Sequence, residues 1–349
     1  MSTLAVARNA AMRVIVALVA VALVLGGIVL AVSDKASAQP NLDRLRPNCD
    51  WDPYGWHIQY CRVFSPAMER EIPVMIRASH SGGDAALYML DGLHGYNPGA
   101  SGWFWSGRAA QTFAGDNMTL VAPAAGDASF YTDWNAPAAT RNGIKIQKWE
   151  TFLTKELPVY LQREFGVNPN RNAIAGLSMG ASAAVSLASN HRDQFKHVTA
   201  LSGYYQISNP VVATGMNAML FTAGVFNPSA MWGPPIPAGP GYTSRAVTLN
   251  REKLRGLPMY VSSAEGVSNM FSDPDVLNRP VPQLPDTVWR GVMESISRAS
   301  TQRFESSVRG ANLQENIKFV YSPTGIHSWE LWARDTGLAR PDILRALNL

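Results

Sequence analysis

The chain has 349 residues, of which 46% are hydrophobic and 16% are charged, and its formal net charge is +4 at pH 7. This composition is that of a globular protein long enough to bury a large core, and it excludes wholesale disorder. There is no block of like charges, so nucleic-acid binding has little support and we expect no nucleic-acid partner.

The first 38 residues have the features of an export signal. Two arginines precede a long apolar run over residues 14–32, and Ala36-Ser37-Ala38 has the small-x-small pattern of a signal-peptidase site. The alternative is an uncleaved membrane anchor, because the apolar run approaches spanning length. We favour a signal peptide that is cleaved after Ala38, followed by a single domain over residues 39–349. In either case the domain is exported.

Two cysteines, Cys49 and Cys61, follow the predicted signal. In an oxidising compartment beyond the membrane we expect them to pair, which would pin the short segment between them. The six histidines never fall into a metal-binding pattern such as H-E-x-x-H, and we expect neither a metal nor a cofactor.

Hydrophobic patterns predict alternating strands and helices along the rest of the chain. Antiparallel edge strands are predicted at residues 58–64 and 72–78. Buried strands are predicted at residues 85–90, 118–124, 172–175, 197–202, 257–263 and 317–321. Helices are predicted at residues 148–165, 181–188 and 287–304. Residues 204–256 are rich in proline and glycine with weak periodicity, which predicts a cap beside the functional site rather than a plain loop.

The turn between one predicted strand and the next helix carries Gly176-Leu177-Ser178-Met179-Gly180. Strand, sharp turn and helix with G-x-S-x-G at the corner is the nucleophile elbow of an α/β-hydrolase. The glycines let the two backbones pass closely, while Ser178 holds strained dihedrals that lift its hydroxyl out of the sheet. The motif predicts an α/β-hydrolase fold, with a mostly parallel sheet flanked by helices, and a serine nucleophile.

A serine hydroxyl needs a base to take its proton, and α/β-hydrolases place that histidine after the last strand. His327 is the histidine in this position. The acid that orients it is open: Glu265 follows strand 257–263, Asp273 and Asp275 come next, and Glu294 lies in the following helix. Spacing alone does not decide among these four carboxylates.

Six segments, in order, resemble the antigen 85 mycolyltransferases: 91–93 (DGL), 129–134 (SFYTDW), 148–154 (KWETFLT), 176–179 (GLSM), 231–234 (MWGP) and 327–330 (HSWE). The resemblance implies a secreted serine acyltransferase of the cell envelope in mycolate-bearing bacteria. Such an enzyme moves a mycoloyl group from one trehalose monomycolate to another, giving trehalose dimycolate, or to cell-wall arabinogalactan. The implied partners are these sugars and the envelope lipid surface.

The resemblance also implies roles for individual residues. The catalytic glutamate of the family lies on a helix before the histidine, which selects Glu294 over Glu265. The oxyanion hole would be formed by the backbone amides of Leu93, in the turn after strand 85–90, and of Met179, the residue after the nucleophile.

The sugar contacts are implied in the same way. Asp91 and Trp329 match positions that contact trehalose in the family, and His94 stands where the family has an arginine. A transferase must favour a sugar hydroxyl over water, so we expect Trp329, Trp134 and residues 231–232 to form the walls of a partly dry sugar site.

Two alternative functions are compatible with these residues. One is a secreted carboxylesterase of the esterase D type, because Gly180 is shared with generic carboxylesterases. The other is a non-catalytic envelope protein that only holds trehalose glycolipid, although the presence of both Ser178 and His327 argues against it.

Overall fold

A computed structural model describes residues 41–95, 99–272, 274–277 and 283–349, so the predicted signal segment lies outside the described residues. The strands are β1 Cys49–Trp51, β2 Ile58–Ser65, β3 Arg70–Arg77, β4 Ala85–Leu90, β5 Met118–Pro123, β6 Ala138–Thr140, β7 Gly143–Lys145, β8 Asn172–Leu177, β9 Phe195–Leu201, β10 Met259–Ala264 and β11 Ile317–Ser322. Nine of them form one sheet in the order β1-β2-β3-β5-β4-β8-β9-β10-β11, and β6 pairs with β7. The six strands from β5 to β11 in this order are parallel, which confirms the predicted mostly parallel sheet.

The α-helices are α1 Gly102–Trp105, α2 Ala109–Thr112, α3 Trp149–Thr151, α4 Leu157–Phe165, α5 Met179–Asn190, α6 Pro210–Thr222, α7 Pro240–Arg245, α8 Pro274–Leu277, α9 Leu284–Arg309 and α10 Trp329–Leu347. A π-helical turn, Phe152–Glu156, joins α3 to α4. Residues Asn41–Leu349 cluster as one unit. Within the described residues, no helix is both long enough and apolar enough to cross a bilayer.

Helices cover both faces of the sheet, and the residues of a single strand contribute to the apolar cores on both faces. Successive side chains of a strand point to opposite faces. In β4, Tyr88 and Leu90 join the core beneath α3, α4, α5 and α9. Leu87 and Met89 join the core beneath α1, α2 and α10. The result is the three-layer arrangement of an α/β-hydrolase, as predicted.

The segment over residues 204–256 forms a cap with its own small core. It contains α6, α7 and two 3₁₀ turns, Pro228–Ala230 and Arg251–Leu254. Most of its buried apolar side chains pack with Trp134 and Ala138, while Tyr205, Val247 and Leu254 join the main core. The cap lies beside the turn after β8, because the ring of Trp232 contacts Phe130, whose N–H donates to Met179 Sδ at 3.4 Å.

The fold differs from the sequence prediction at the edge of the sheet and at the C-terminal end of the chain, among other places. β2 and β3 are antiparallel as predicted, but β1 is the outermost strand, so neither of them is an edge strand. The C-terminal helix α10 was not predicted from the sequence. Gly337 and Pro341 lie inside it, and both residues weaken a helical pattern, proline most of all.

The topology brings several loops to one edge of the sheet. Because β4, β8, β9, β10 and β11 are parallel neighbours, their carboxyl ends lie side by side. In this kind of fold ligands bind outside those carboxyl ends. The residues that follow these ends are Asp91, Ser178, Ser202, Glu265 and the loop 323–328 that carries His327.

Candidate active site

Ser178 occupies a strained turn between β8 and α5. Its φ of 54° and ψ of −120° lie where side-chain-bearing residues are rare. Gly176 and Gly180 must be glycines because other backbone segments come too close to leave room for a Cβ atom. A Cβ on Gly176 would lie 2.1 Å from the carbonyl oxygen of Gly180, and a Cβ on Gly180 would lie 2.5 Å from that of Asp91.

His327 is paired with Glu294. Nδ1 of His327 lies 2.8 Å from Oε2 of Glu294, whose side chain is completely buried. The other carboxylate oxygen, Oε1, accepts the N–H of Ala264 at 2.8 Å and the hydroxyl of Ser202 at 2.9 Å. Three hydrogen bonds, spread over both oxygens, hold this buried carboxylate in one orientation.

The other candidate acids do not contact His327 in the described structure. Glu265 forms an ion pair with Arg298 at 2.6 Å and accepts the hydroxyl of Ser268 at 2.9 Å. The side chains of Asp273 and Asp275 lie outside the described residues.

Helix α9 holds His327 at a second point. The N–H of His327 donates to the carbonyl oxygen of Arg290 at 3.1 Å. Arg290 lies one helical turn before Glu294, so both groups project from the same face of the helix. The loop after β11 is thereby fixed through its backbone as well as through the imidazole.

The turn after β4 lies directly against Ser178. A Cβ on Gly92 would lie 3.8 Å from Ser178 Oγ. In the described part of the chain, neither the N–H of Leu93 nor that of Met179 has a protein acceptor. Nε2 of His327 is buried and likewise has no hydrogen-bond partner there.

The three residues expected to contact sugar differ in exposure. Asp91 is buried, and burial raises the pKa of its carboxyl to about 7, while a hydrogen bond from Ser101 opposes this shift. Its Oδ1 has no partner among the described residues. His94 is exposed. Trp329, at the start of α10, is half-buried and contacts the rings of Trp103 and Trp332.

The expectation that Trp134 and residues 231–232 form walls of a sugar site is wrong for Trp134 and Met231. Trp134 is 1% exposed, and its Nε1–H donates to the carbonyl of Ser129 at 2.9 Å. Met231 is completely buried, and Trp232 is 5% exposed in the same small core. Trp134, Met231 and Trp232 pack together in the small core of the cap. Packing there removes more of their apolar surface from water than lining a sugar site would.

Sequence reasoning missed Ser202, the residue after β9. Its hydroxyl donates to Glu294 and accepts the Nε1–H of Trp332 at 3.0 Å. The ring of Trp332 in turn packs edge-on against His327 at 4.9 Å between centroids. Its position after a parallel strand was a signal that could have identified it.

The cysteine pair lies far along the sheet from Ser178, in the antiparallel end. Cys49 and Cys61 are opposite each other in β1 and β2 and are joined by a disulfide. No cluster of three or more His, Cys, Asp or Glu side chains in the described ranges could hold a metal ion.

Comparison with known proteins places this geometry in context. A family described as "Putative esterase" matches residues 65–336. The curated protein "Diacylglycerol acyltransferase/mycolyltransferase Ag85A" of Mycobacterium tuberculosis is 34% identical over 296 residues, which is 84% of this chain and 82% of that protein. The corresponding Ag85B of Mycobacterium avium is 31% identical, with 84% of each chain covered.

Solved structures have the same fold. MPT51 (FbpC1) of Mycobacterium tuberculosis superposes with a TM-score of 0.67 at 27% identity, covering 83% of this chain and 98% of that one. An S-formylglutathione hydrolase from Agrobacterium tumefaciens superposes with a TM-score of 0.58 at 13% identity, and the match covers 83% of this chain and 95% of that one. The second likeness extends to the fold alone.

Proposed function

The chain belongs to the antigen 85 mycolyltransferase family and is an acyltransferase of the α/β-hydrolase fold, and from this premise we propose that it transfers mycoloyl groups between sugars. The donor is trehalose monomycolate, and the acceptor is a second trehalose monomycolate or arabinogalactan. The observation that carries the proposal is the buried pair of Glu294 and His327 at the sheet edge where the strained Ser178 turn lies.

In the first half of the reaction, Ser178 Oγ attacks the ester carbonyl of the donor. Its proton passes to His327 Nε2, and Glu294 stabilises the imidazolium that forms. The tetrahedral oxyanion accepts hydrogen bonds from the amides of Leu93 and Met179, which have no other acceptor among the described residues. The carbon–oxygen bond to trehalose then breaks, and the trehalose oxygen takes the proton from His327.

In the second half, a hydroxyl of the acceptor sugar replaces water as the attacking group. It gives its proton to His327 Nε2 and forms the new ester bond. The bond to Ser178 Oγ breaks, and the proton returns from His327 to that oxygen. The buried position of Nε2 supports this role, because a low-dielectric site strengthens each charge–dipole interaction in the transition state.

Sugar recognition is assigned to Asp91, His94 and Trp329. The unpartnered Oδ1 of Asp91 supports its role, because a buried oxygen without a partner gains most from a sugar hydroxyl that donates to it. His94 is exposed on the same turn, and Trp329 follows His327 by two residues. Both are positioned to contact the part of the ligand that extends toward solvent.

We place the enzyme outside the cytoplasmic membrane, as a secreted protein at the cell envelope. The signal predicted over residues 1–38 supports export, and the disulfide between Cys49 and Cys61 is of a kind found in oxidising compartments. The partners of the enzyme would be the lipids and sugars of the envelope. The charge pattern of the chain gives no support for nucleic-acid binding.

The rival functions predict different products, so one assay separates them. Purified protein is incubated with trehalose monomycolate, with and without added trehalose, and the products are resolved by chromatography. We expect trehalose dimycolate and free trehalose from the wild type. Free mycolic acid as the main product would indicate a carboxylesterase, and no turnover with retained glycolipid binding would indicate a binding protein.

Ser178→Ala is the matched variant for this assay. We expect it to lose acyl transfer by several orders of magnitude while keeping the melting temperature of the wild type. A serine-directed phosphonate should label the wild type at Ser178 and leave the variant unlabelled. Labelling of a different serine would contradict the assignment.

A further inference from the structure

A rigid loop at the antiparallel end of the sheet displays aromatic side chains. Residues 49–61 are closed into a loop by the disulfide. Within it, the Asp52 carboxylate accepts the backbone N–H groups of Tyr54 at 2.9 Å, Trp56 at 3.1 Å and Ile58 at 2.9 Å. Three hydrogen bonds to one carboxylate hold the loop in a single shape.

The loop packs its rings against Trp105, the last residue of α1. Tyr54 contacts Trp105 edge-on at 5.2 Å between centroids, and Trp56 contacts it at 5.7 Å. Tyr54 remains 69% exposed in this arrangement. A tyrosine ring that packs against Trp105 and is still largely open to solvent is available to a ligand.

Trp105 also lines an open cleft of about 710 Å³, and Trp329 lines the same cleft. The cleft therefore joins the loop to the proposed sugar site. The polar residues that line the cleft with these two tryptophans are Ser106, Arg108, Thr112, Arg290, Glu330 and Arg334.

The cleft borders the proposed acyl-transfer site. Trp329 is two residues from His327, and the cleft is also lined by Arg290, whose carbonyl accepts the His327 N–H. A molecule lying in the cleft would thus contact Trp329 near the loop that carries His327, and Trp105, the ring against which Tyr54 packs.

Such a lining fits carbohydrate. A sugar ring has an apolar C–H face that packs on an aromatic ring, and an edge of hydroxyl groups that bond to guanidinium and hydroxyl side chains. A lipid bilayer would instead require a contiguous apolar surface, whereas three arginines and a glutamate line this cleft.

We propose that Tyr54, Trp56, Trp105 and Trp329, the aromatic platform, bind the acceptor as an oligosaccharide several sugar rings long. This inference rests on the proposed acyl transfer and names its acceptor class. The ring nearest Trp329 presents the hydroxyl that takes the acyl group, and the outer rings lie along Trp105 and Tyr54. The platform adds binding and no new covalent step.

The test compares two acceptors on the full exported chain, an arabinofuranose hexasaccharide and the disaccharide trehalose, with trehalose monomycolate as donor. Tyr54→Ala should lower kcat/KM for the hexasaccharide relative to that for trehalose by about five- to tenfold, through KM. Phe64→Ala is the control, because Phe64 is a 60% exposed ring on β2 that, among the described residues, has no ring contact with Trp105, unlike Tyr54. It should leave the ratio unchanged. An unchanged ratio in Tyr54→Ala would overturn the inference.

A binding measurement separates failure of this inference from failure of the proposed function. In the Ser178→Ala background, calorimetry should detect hexasaccharide binding that Tyr54→Ala weakens by the same factor, whether or not the wild type transfers acyl groups. Sedimentation with phosphatidylcholine–phosphatidylglycerol vesicles tests the lipid alternative. Vesicle binding that depends on Tyr54, with no hexasaccharide binding, would refute the glycan assignment.

Discussion

Ser202 Oγ donates a hydrogen bond to Glu294 Oε1 at 2.9 Å and so joins the end of β9 to the carboxylate that contacts His327. The same hydroxyl accepts the Nε1–H of Trp332 at 3.0 Å. Ser202 is 1% exposed, so none of these groups can turn to water instead. The end of β9, α9 and α10 therefore meet at one serine.

We expect Ser202→Ala to lower kcat by about tenfold or more with little change in KM. The variant leaves Trp332 Nε1 without an acceptor and removes one of the bonds that orient Glu294, at a cost of about 1–3 kcal/mol. Steady-state kinetics with trehalose monomycolate measures the effect. Ser189→Ala is the control, since Ser189 is also buried but bonds only within its own helix. Equal losses in both variants would mean that Ser202 acts through general stability.

Glu294→Gln should reduce turnover by about three to four orders of magnitude at saturating substrate, because a neutral amide cannot stabilise the His327 imidazolium. Glu265→Gln is the matched comparison, since Glu265 is paired with Arg298 and, in the described part of the chain, makes no hydrogen bond to His327. It should retain turnover within a few fold of the wild type. If Glu265→Gln were the inactive variant, the acid would instead follow its strand, as in most α/β-hydrolases.

His197 should make the protein less stable in acid. Burial lowers the pKa of His197 to about 4, whereas the unfolded chain has a value near 6.5. Nearby Asp342 opposes this shift and Arg345 adds to it. Above pH 6.5 both states are neutral at this residue. As the pH falls from 6.5 to 4, the unfolded chain binds the proton first, so the free energy of unfolding decreases by about 3 kcal/mol.

Urea denaturation of the wild type and His197→Phe between pH 4 and 8 measures this effect. The variant should lack this contribution and be at least as stable at neutral pH, because both ring nitrogens of His197 are buried without partners among the described residues. His94→Gln, at an exposed histidine, should keep the acid dependence of the wild type. Parallel curves for wild type and His197→Phe would contradict the prediction.

The disulfide between Cys49 and Cys61 should stabilise the folded protein. The bridge joins two residues that are 12 positions apart in the sequence. Closing a loop of this size lowers the entropy of the unfolded chain, which adds about 3 kcal/mol to the free energy of unfolding. The double variant Cys49→Ser, Cys61→Ser should lose about that much free energy of unfolding in denaturant titrations. Reductant should destabilise the wild type and leave the double variant unaffected. Mass spectrometry of non-reduced peptides should find the two cysteines linked, and free thiols would contradict the bridge.

The sequence by itself determined the fold class and the position of the elbow. Both depend on local patterns: apolar runs define buried strands, and Gly176 and Gly180 are needed wherever two backbones come this close. The order of the strands also predicted which loop carries His327. The resemblance to antigen 85 mycolyltransferases, stated on six short segments, is confirmed by the relatives.

Sequence spacing left the acid open and the family resemblance favoured Glu294, but only the tertiary structure shows which carboxylate contacts His327. Glu265 follows β10 directly, yet its side chain is paired with Arg298, whereas Glu294 reaches across from α9. The contacts of Ser202 and the burial of Trp134 also could not be predicted from the sequence. These facts depend on which face of one element packs against another, and such contacts join residues far apart in the chain that no local spacing relates.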